Sequence, residues 1–271
     1  MLTMSESPQL RYACQTSSLP EALAATFVEL DADADTQAFV ADLERHPTSA
    51  LRAWARRVAA SWMSDYDANA LLDTHDMRVL GTAQWRTLLG ERAGGRLLDL
   101  GAGDGRVTDT LAPIFDEVVT NELSTGMARR LRKRGYSCWL GDLAEEPAPE
   151  SLGRFRAIAM LNLLDRCRRP RTLLERARDL LEADGVLIVA VPLPLSPHVH
   201  VGAETVDPEE LLPIARGSFE HGARRLVEDV FLPSGLELEA WSRAPYLCRG
   251  VRHRPVLILD DAIFRLRRRR D

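Results

Sequence analysis

The segment LLDLGAGDGRV, Leu97 to Val107, constrains this chain more than any other. An apolar run ends at Leu100, and Gly101, Gly103 and Gly105 follow at alternate positions before apolar residues resume. A strand, a glycine turn and a helix start let a backbone approach a ligand with no Cβ in the way. Downstream, strand-like EVVTNEL, SCWLGDL, FRAIAMLNLL and DGVLIVAVPL alternate with helix-like GRVTDTLAPIF, TGMARRLRKRG and RPRTLLERARDLL. That alternation requires right-handed crossovers and a parallel sheet covered on both faces. LELEAWSRA and PVLILDDAIFRL then give two more strands with no helical pattern between them.

The spacing of the turn discriminates between nucleotides. In a dinucleotide fingerprint, GxGxxG/A, the third small residue packs the helix on the strand. Here the third glycine comes one residue early and Arg106 holds the sixth position. Asp99 precedes the turn, and a carboxylate there suits a cation better than a pyrophosphate. S-adenosylmethionine, with its ammonium and sulfonium, meets that requirement. Gly101, Ala102 and Gly103 are expected to border it. Glu122, with Leu123 beside it, follows about twenty residues after the turn, where a carboxylate accepts from ribose hydroxyls. Asp142 and Leu143 end the next strand, where Asp142 could receive the adenine amino group. The plain alternative for each carboxylate is a helix cap or a solvated loop. A sheet of this kind finished by two strands fits a seven-stranded methyltransferase better than a six-stranded dehydrogenase.

Composition narrows the partners. With 45% hydrophobic and 28% charged residues, the 271-residue chain has the make-up of a soluble globular protein. A net charge of −5 gives no reason to expect nucleic acid or anionic membrane. VLIVAV is too short and its PLPL continuation too proline-rich to span a bilayer, and MLTMSESPQL does not read as a secretory signal. Cys14, Cys138, Cys167 and Cys248 form no CxxC pair, so neither a disulfide framework nor a metal site is expected and a cytoplasmic setting fits. Lys133 is the single lysine, a bias of GC-rich bacterial coding. Residues 1–20 read as a loose arm, and Pro20 to Leu89 as helical with no strand pattern. The expected division is a helical region over 1–92 covering the site and a cofactor-binding domain over 93–271.

LDLGAGDG, NELS, LNLLDRC, PYLC and LDDAIF occur in that order, and the chain resembles the DREV-type methyltransferase-like family over roughly residues 70–266. The resemblance implies an α/β, class I (Rossmann-like) seven-stranded methyltransferase sheet, here with an N-terminal helical cap. It also implies methylation of the π nitrogen of an imidazole with S-adenosylmethionine. The family includes protein-histidine methyltransferases. Related bacterial enzymes are associated with 5-thiohistidine or 5-selenohistidine in ovothiol-type pathways, and a small histidine derivative is the expected substrate. A His-x-His peptide is the alternative, and a binding protein without turnover is the non-enzyme alternative.

LNLLDRC carries the expected chemistry. A carboxylate that accepts N–H from the τ nitrogen of an imidazole fixes the tautomer and leaves the π nitrogen free to attack. Asp165 is the candidate. Asn162 orients the ring or contacts the amino acid end of the cofactor, and Tyr246 reaches the ring or a substrate carboxylate. Without the resemblance, Asn162 and Asp165 read as a turn and an N-cap. Arg166, Arg249 and the arginines around residue 168 are candidate partners for a substrate carboxylate or chalcogenolate. Cys167 and Cys248 read as packing residues. His198 and His200 read as a loop lining the substrate mouth, His75 as a surface residue that could close over the site, and RLRRRRD as a solvated strand end.

Overall fold

The computed structural model describes residues 9–60, 72, 76–201, 204–214 and 217–270. Among them, strands β1 (Met77–Arg78), β2 (Arg96–Leu100), β3 (Glu117–Glu122), β4 (Ser137–Leu140), β5 (Phe155–Leu161), β6 (Leu181–Pro192), β9 (Leu236–Val251) and β10 (Arg254–Arg268) make one sheet. Its order is β4-β3-β2-β5-β6-β10-β9-β1. β4, β3, β2, β5 and β6 run parallel, and β10 and β9 are added antiparallel. These are the seven expected strands. The eighth, β1, bonds Met77 and Arg78 to Cys248 and Leu247 on the edge of β9. Two residues carry no alternation, so no sequence pattern announces it. A separate hairpin pairs β7 (Val199–Val201) with β8 (Glu204–Val206).

The helices are α1 (Glu21–Ala25), α2 (Ala34–Arg45), α3 (Ala50–Ala60), α4 (Thr82–Leu89), α5 (Thr108–Leu111), α6 (Thr125–Lys133), α7 (Pro170–Asp179) and α8 (Phe219–Leu226). Side chains alternate across β5 and β6. Ile158, Met160, Leu187 and Val189 therefore meet Leu173, Leu174 and Ala177 of α7, while Ala157, Ala159, Val186 and Ile188 meet Trp85, Leu88 and Leu89 of α4. The alanines leave room for Trp85, whose indole N–H donates to Thr110 Oγ1 at 3.1 Å. The helix expected over GRVTDTLAPIF is only the four residues of α5 and a 3-10 turn, Ala112–Ile114. Pro113 has no N–H to continue the α-helical hydrogen bonds, so the run ends at Leu111 and continues only as that 3-10 turn.

The N-terminal region departs from the purely helical expectation. Phe27 and Thr48 form isolated bridges to Trp241 and Val251 of β9. The Trp241 indole N–H donates to the Leu23 carbonyl at 2.8 Å. Leu23 and Tyr12 join the two large cores on opposite sheet faces, and Leu43 packs on Leu247 and Val256. The helix α8, capped by Ser218, had no counterpart in the sequence reading. No described helix is long and apolar enough to cross a membrane. The basic end of β10 is paired, with Arg267 on Glu237 and Arg268 on the Arg178 carbonyl.

Candidate active site

Parallel strands share one carboxyl edge, where open α/β sheets bind their ligands in a crevice, and the loops after β2, β3, β4 and β5 all lie at that edge. Asp99 lies near the end of β2, 2% exposed, and its Oδ2 accepts the Thr108 hydroxyl at 2.6 Å. Burial pushes its carboxyl up to about 7, aided by the neighbouring Glu122 charge and opposed by the Thr108 hydrogen bond. Sequence reasoning missed Thr108; the available signal was a hydroxyl on the first turn of the helix that follows the glycines. Glu122 ends β3, where its Oε2 accepts the N–H groups of Leu123 at 2.6 Å and Ser124 at 2.8 Å. Leu123 itself is exposed. After β4, Asp142 Oδ1 accepts the Ala144 N–H at 2.8 Å, and Leu143 is buried in the α7-side core. The Ala102 N–H donates to the Asn121 carbonyl at 3.0 Å, tying the turn to β3.

The three glycines of the turn are left-handed, with φ of 67°, 59° and 86° at Gly101, Gly103 and Gly105. Their surroundings differ. A Cβ on Gly101 would come within 2.9 Å of Leu163, and one on Gly105 within 3.0 Å of Leu131 and Arg134. A Cβ on Gly103 would meet nothing within 4 Å. Gly101 thus seats the loop after β5, Gly105 seats α6, and Gly103 is bare toward the crevice.

The loop after β5 begins at Asn162, the one non-glycine residue with positive φ among those described, at 56°. Asparagine tolerates that conformation better than most residues. Its backbone N–H donates to Ala190 on β6, while both amide side-chain atoms are buried without a partner. Asp165 is 2% exposed; its Oδ2 accepts from Arg166 Nε at 2.9 Å and its Oδ1 has no partner. Burial raises its carboxyl, and Arg166 and His198 oppose the shift. The Asp165 carbonyl accepts the His198 N–H at 2.9 Å, so the loop after β6 lies against it. His75, and the side chain of His200, lie outside the described residues.

The sheet adds residues from β9 and β10. Tyr246 is buried and its hydroxyl is turned to the Met77 sulfur. Burial and the nearby Asp261 keep this phenol neutral, well above its ordinary range. Asp261 of LDDAIF was not singled out in the sequence, yet it is fully buried and neither carboxyl oxygen has a partner. The Asn162 amide lies beside it without reaching hydrogen-bond geometry, and Asp165 and Asp260 add negative charge nearby. Burial pushes Cys167 and Cys248 up to about 12, so both are thiols and neither is a nucleophile.

The candidate arginines all have protein partners. Arg249 is spent on Asp76 at 2.7 Å and Asp42 at 2.6 Å, and Asp76 also holds Arg106 of the glycine turn at 2.8 Å. Arg168 and Arg169 pair with Glu209, and Arg166 with Asp165. All four are therefore engaged by protein carboxylates: Arg166 by its sequence neighbour, and Arg168, Arg169 and Arg249 by residues distant in sequence.

The bare flank of Gly103, Asp99 and Glu122 fit a cofactor with a cationic methionine half and two ribose hydroxyls. A sheet of this order with such a turn is that of a class I, S-adenosylmethionine-dependent methyltransferase. The chain belongs to the DREV methyltransferase family, whose profile matches residues 11–268. Among solved structures it is similar to DhpI in complex with SAH, at 16% identity over 82% of this chain and 98% of that one, TM-score 0.49. It is also similar to the glycopeptide N-methyltransferase MtfA with S-adenosylhomocysteine, at 19% identity over 69% and 87%, TM-score 0.47. A third is the N-methyltransferase NodS from Bradyrhizobium japonicum, at 15% identity over 69% and 85%, TM-score 0.43.

Proposed function

We propose that this enzyme methylates the π nitrogen of an imidazole carried by a small histidine derivative, such as 5-thiohistidine or 5-selenohistidine. The observation that carries the reading is Asp165: a buried carboxyl with Arg166 on one oxygen and nothing on the other. Buried acceptors are rarely left unmade, so Oδ1 calls for an N–H donor brought by a ligand. An imidazole τ N–H supplies it. Asp165 holds that proton, fixes the tautomer and leaves the π lone pair free. The ion pair with Arg166 favours the ionised carboxylate that this role requires.

In the cofactor part, Asp99 faces the cationic methionine half, Gly101, Ala102 and Gly103 border it, Glu122 takes the ribose hydroxyls, and Asp142 the adenine amino group with Leu123 and Leu143 alongside. The bound cofactor supplies a methyl group activated by a sulfonium. Asn162 stands between the cofactor and the ring, and Tyr246 walls the β9 side. No strong base is required, because a neutral imidazole attacks first and Asp165 stabilises the positive charge that develops. Orientation and proximity supply most of the acceleration. The burial of Asp165 under the loop that carries His198 suits a small substrate better than a protein surface. The region 1–92 contributes Asp76 and Met77 to this end of the sheet and is assigned the role of covering the site against water.

A methylation assay with S-adenosylmethionine and histidine, 5-thiohistidine, 5-selenohistidine and a His-x-His peptide tests the reading. Turnover of a free ring-substituted histidine above the others is expected. Turnover of the peptide alone would transfer the enzyme to protein substrates, and failure with all four would remove the imidazole assignment.

A further inference from the structure

Asp261 lies within β10, across from Pro192 of β6 and Ala244 of β9, with no exposed surface. A carboxyl buried with neither oxygen bonded weakens the fold unless something uses it. Its polar companion is the Asn162 amide, which is also buried and unpartnered at both ends. The backbone of Asn162 is fixed at φ 56° and tied to Ala190, so the start of the side chain is set. Which end of the amide faces the crevice is not set by the backbone. An amide has a donor end and an acceptor end, whereas an ionised carboxylate only accepts.

We propose that Asp261 is a positioning residue: its carboxylate draws Nδ2 of Asn162 to itself and so turns Oδ1 toward the ligands in the crevice. This rests on the assignment of Asn162 to the active site. An acceptor facing the crevice suits a cationic cofactor and a substrate that brings N–H groups. A protonated Asp261 reverses the arrangement, because the neutral carboxyl donates to Oδ1 and leaves Nδ2 facing the cation. The charged and titratable groups around Asp261 are Asp165 on the loop after β5, Asp260 on its own strand, and Tyr246 and Cys248 on β9, with Arg166 opposite those two. Tyr246 and Cys248 stay neutral, and burial with two acidic neighbours holds Asp261 well above the ordinary carboxylate range. The ionised form is the working form, so kcat/KM is retained above the Asp261 titration and lost as pH falls through it.

The test uses the full chain labelled with nitrogen-15. The Asn162 side-chain amide signals are assigned by their loss in Asn162→Ala. They are expected to titrate with a midpoint above the ordinary carboxylate range, to go on titrating in Asp165→Asn, and to stop in Asp261→Asn, whose folding is checked by circular dichroism. Asp261→Asn is also expected to lower kcat/KM about tenfold, the worth of one buried hydrogen bond to a charged group, and to cost nothing further when added to Asn162→Ala. A titration that survives in Asp261→Asn, or losses that multiply in the double variant, overturns the proposal. The spectroscopic readout needs no substrate, so its failure is distinct from a failure of the parent enzyme to methylate any imidazole.

Discussion

The two halves of the crevice treat their polar groups differently. At the ends of β2, β3 and β4, Asp99, Glu122 and Asp142 are each held by a donor from the protein: the Thr108 hydroxyl, the N–H groups of Leu123 and Ser124, and the Ala144 N–H. At the end of β5 and on β10, Asn162, Asp165 and Asp261 keep buried atoms that no protein group meets. The first half is built before its ligand arrives, and the second is completed by the ligand or by a change in protonation. On the proposed function, the difference separates binding of the cofactor from choice of the substrate, and variants should sort accordingly.

The largest effect is expected in the first half. Gly103→Arg places a side chain where a Cβ meets nothing but the backbone is left-handed, so the fold should persist with a strain of about 1–2 kcal/mol while S-adenosylhomocysteine affinity falls at least about a thousandfold by calorimetry, a loss of roughly 4 kcal/mol. In the second half, Asp165→Ala should lower kcat/KM more than about a hundredfold and Asp165→Asn about ten- to a hundredfold, the worth of one charge-assisted hydrogen bond. S-adenosylhomocysteine affinity should stay within about twofold in both, since such an exchange touches no cofactor contact and leaves less than roughly 0.5 kcal/mol to lose. A cofactor affinity that falls with Asp165 would merge the two halves.

Gly101→Ala probes their junction. The residue is left-handed and its Cβ would press on Leu163, whose loop carries Asn162 and Asp165. Both affinity and turnover should fall, each by about tenfold, because a strained residue costs on the order of 1–3 kcal/mol. A drop in only one of them would mean that Leu163 yields without moving its neighbours.

The smallest effect is a pH dependence. Free Asp99 titrates at about 7, and a cation beside it must lower that value. Cofactor affinity should therefore be full above pH 7 and weaken as pH falls below it, by up to about tenfold per unit. In the absence of ligand the sign reverses for stability. Asp99 gives up its proton more easily unfolded, from the ordinary carboxylate value near 3.8 upward, so its contribution falls as pH rises toward 7. Asp99→Asn should flatten both profiles, in calorimetry and in thermal melts.

The turn and strand ends proposed to hold the cofactor were legible as local structure because their signals are local. Each glycine or carboxylate lies within a few residues of the apolar run that it ends, and the same short-range patterns announced the parallel strands. Asn162, Asp165 and Tyr246 were reached through the family motifs, since by spacing alone they read as a turn and a strand residue. Asp261 stayed hidden for a physical reason. A carboxylate inside an alternating strand ordinarily faces solvent, and only the pairing of β10 with both β6 and β9 buries it. The ion pairs of Arg249 were hidden for the complementary reason: its partners, Asp42 and Asp76, are distant in sequence.

The position of the methyl group on the product tests the central claim most directly. Product formed by the parent enzyme from 5-thiohistidine and S-adenosylmethionine can be read by long-range proton–carbon NMR. If Asp165 holds the τ N–H, the methyl group is on the π nitrogen, with correlations to the ring carbon that bears the side chain. A τ-methylated product, with the Asp165→Ala enzyme giving the same isomer at near-parent rate, would contradict the tautomer and reduce LNLLDRC to a turn and a helix cap.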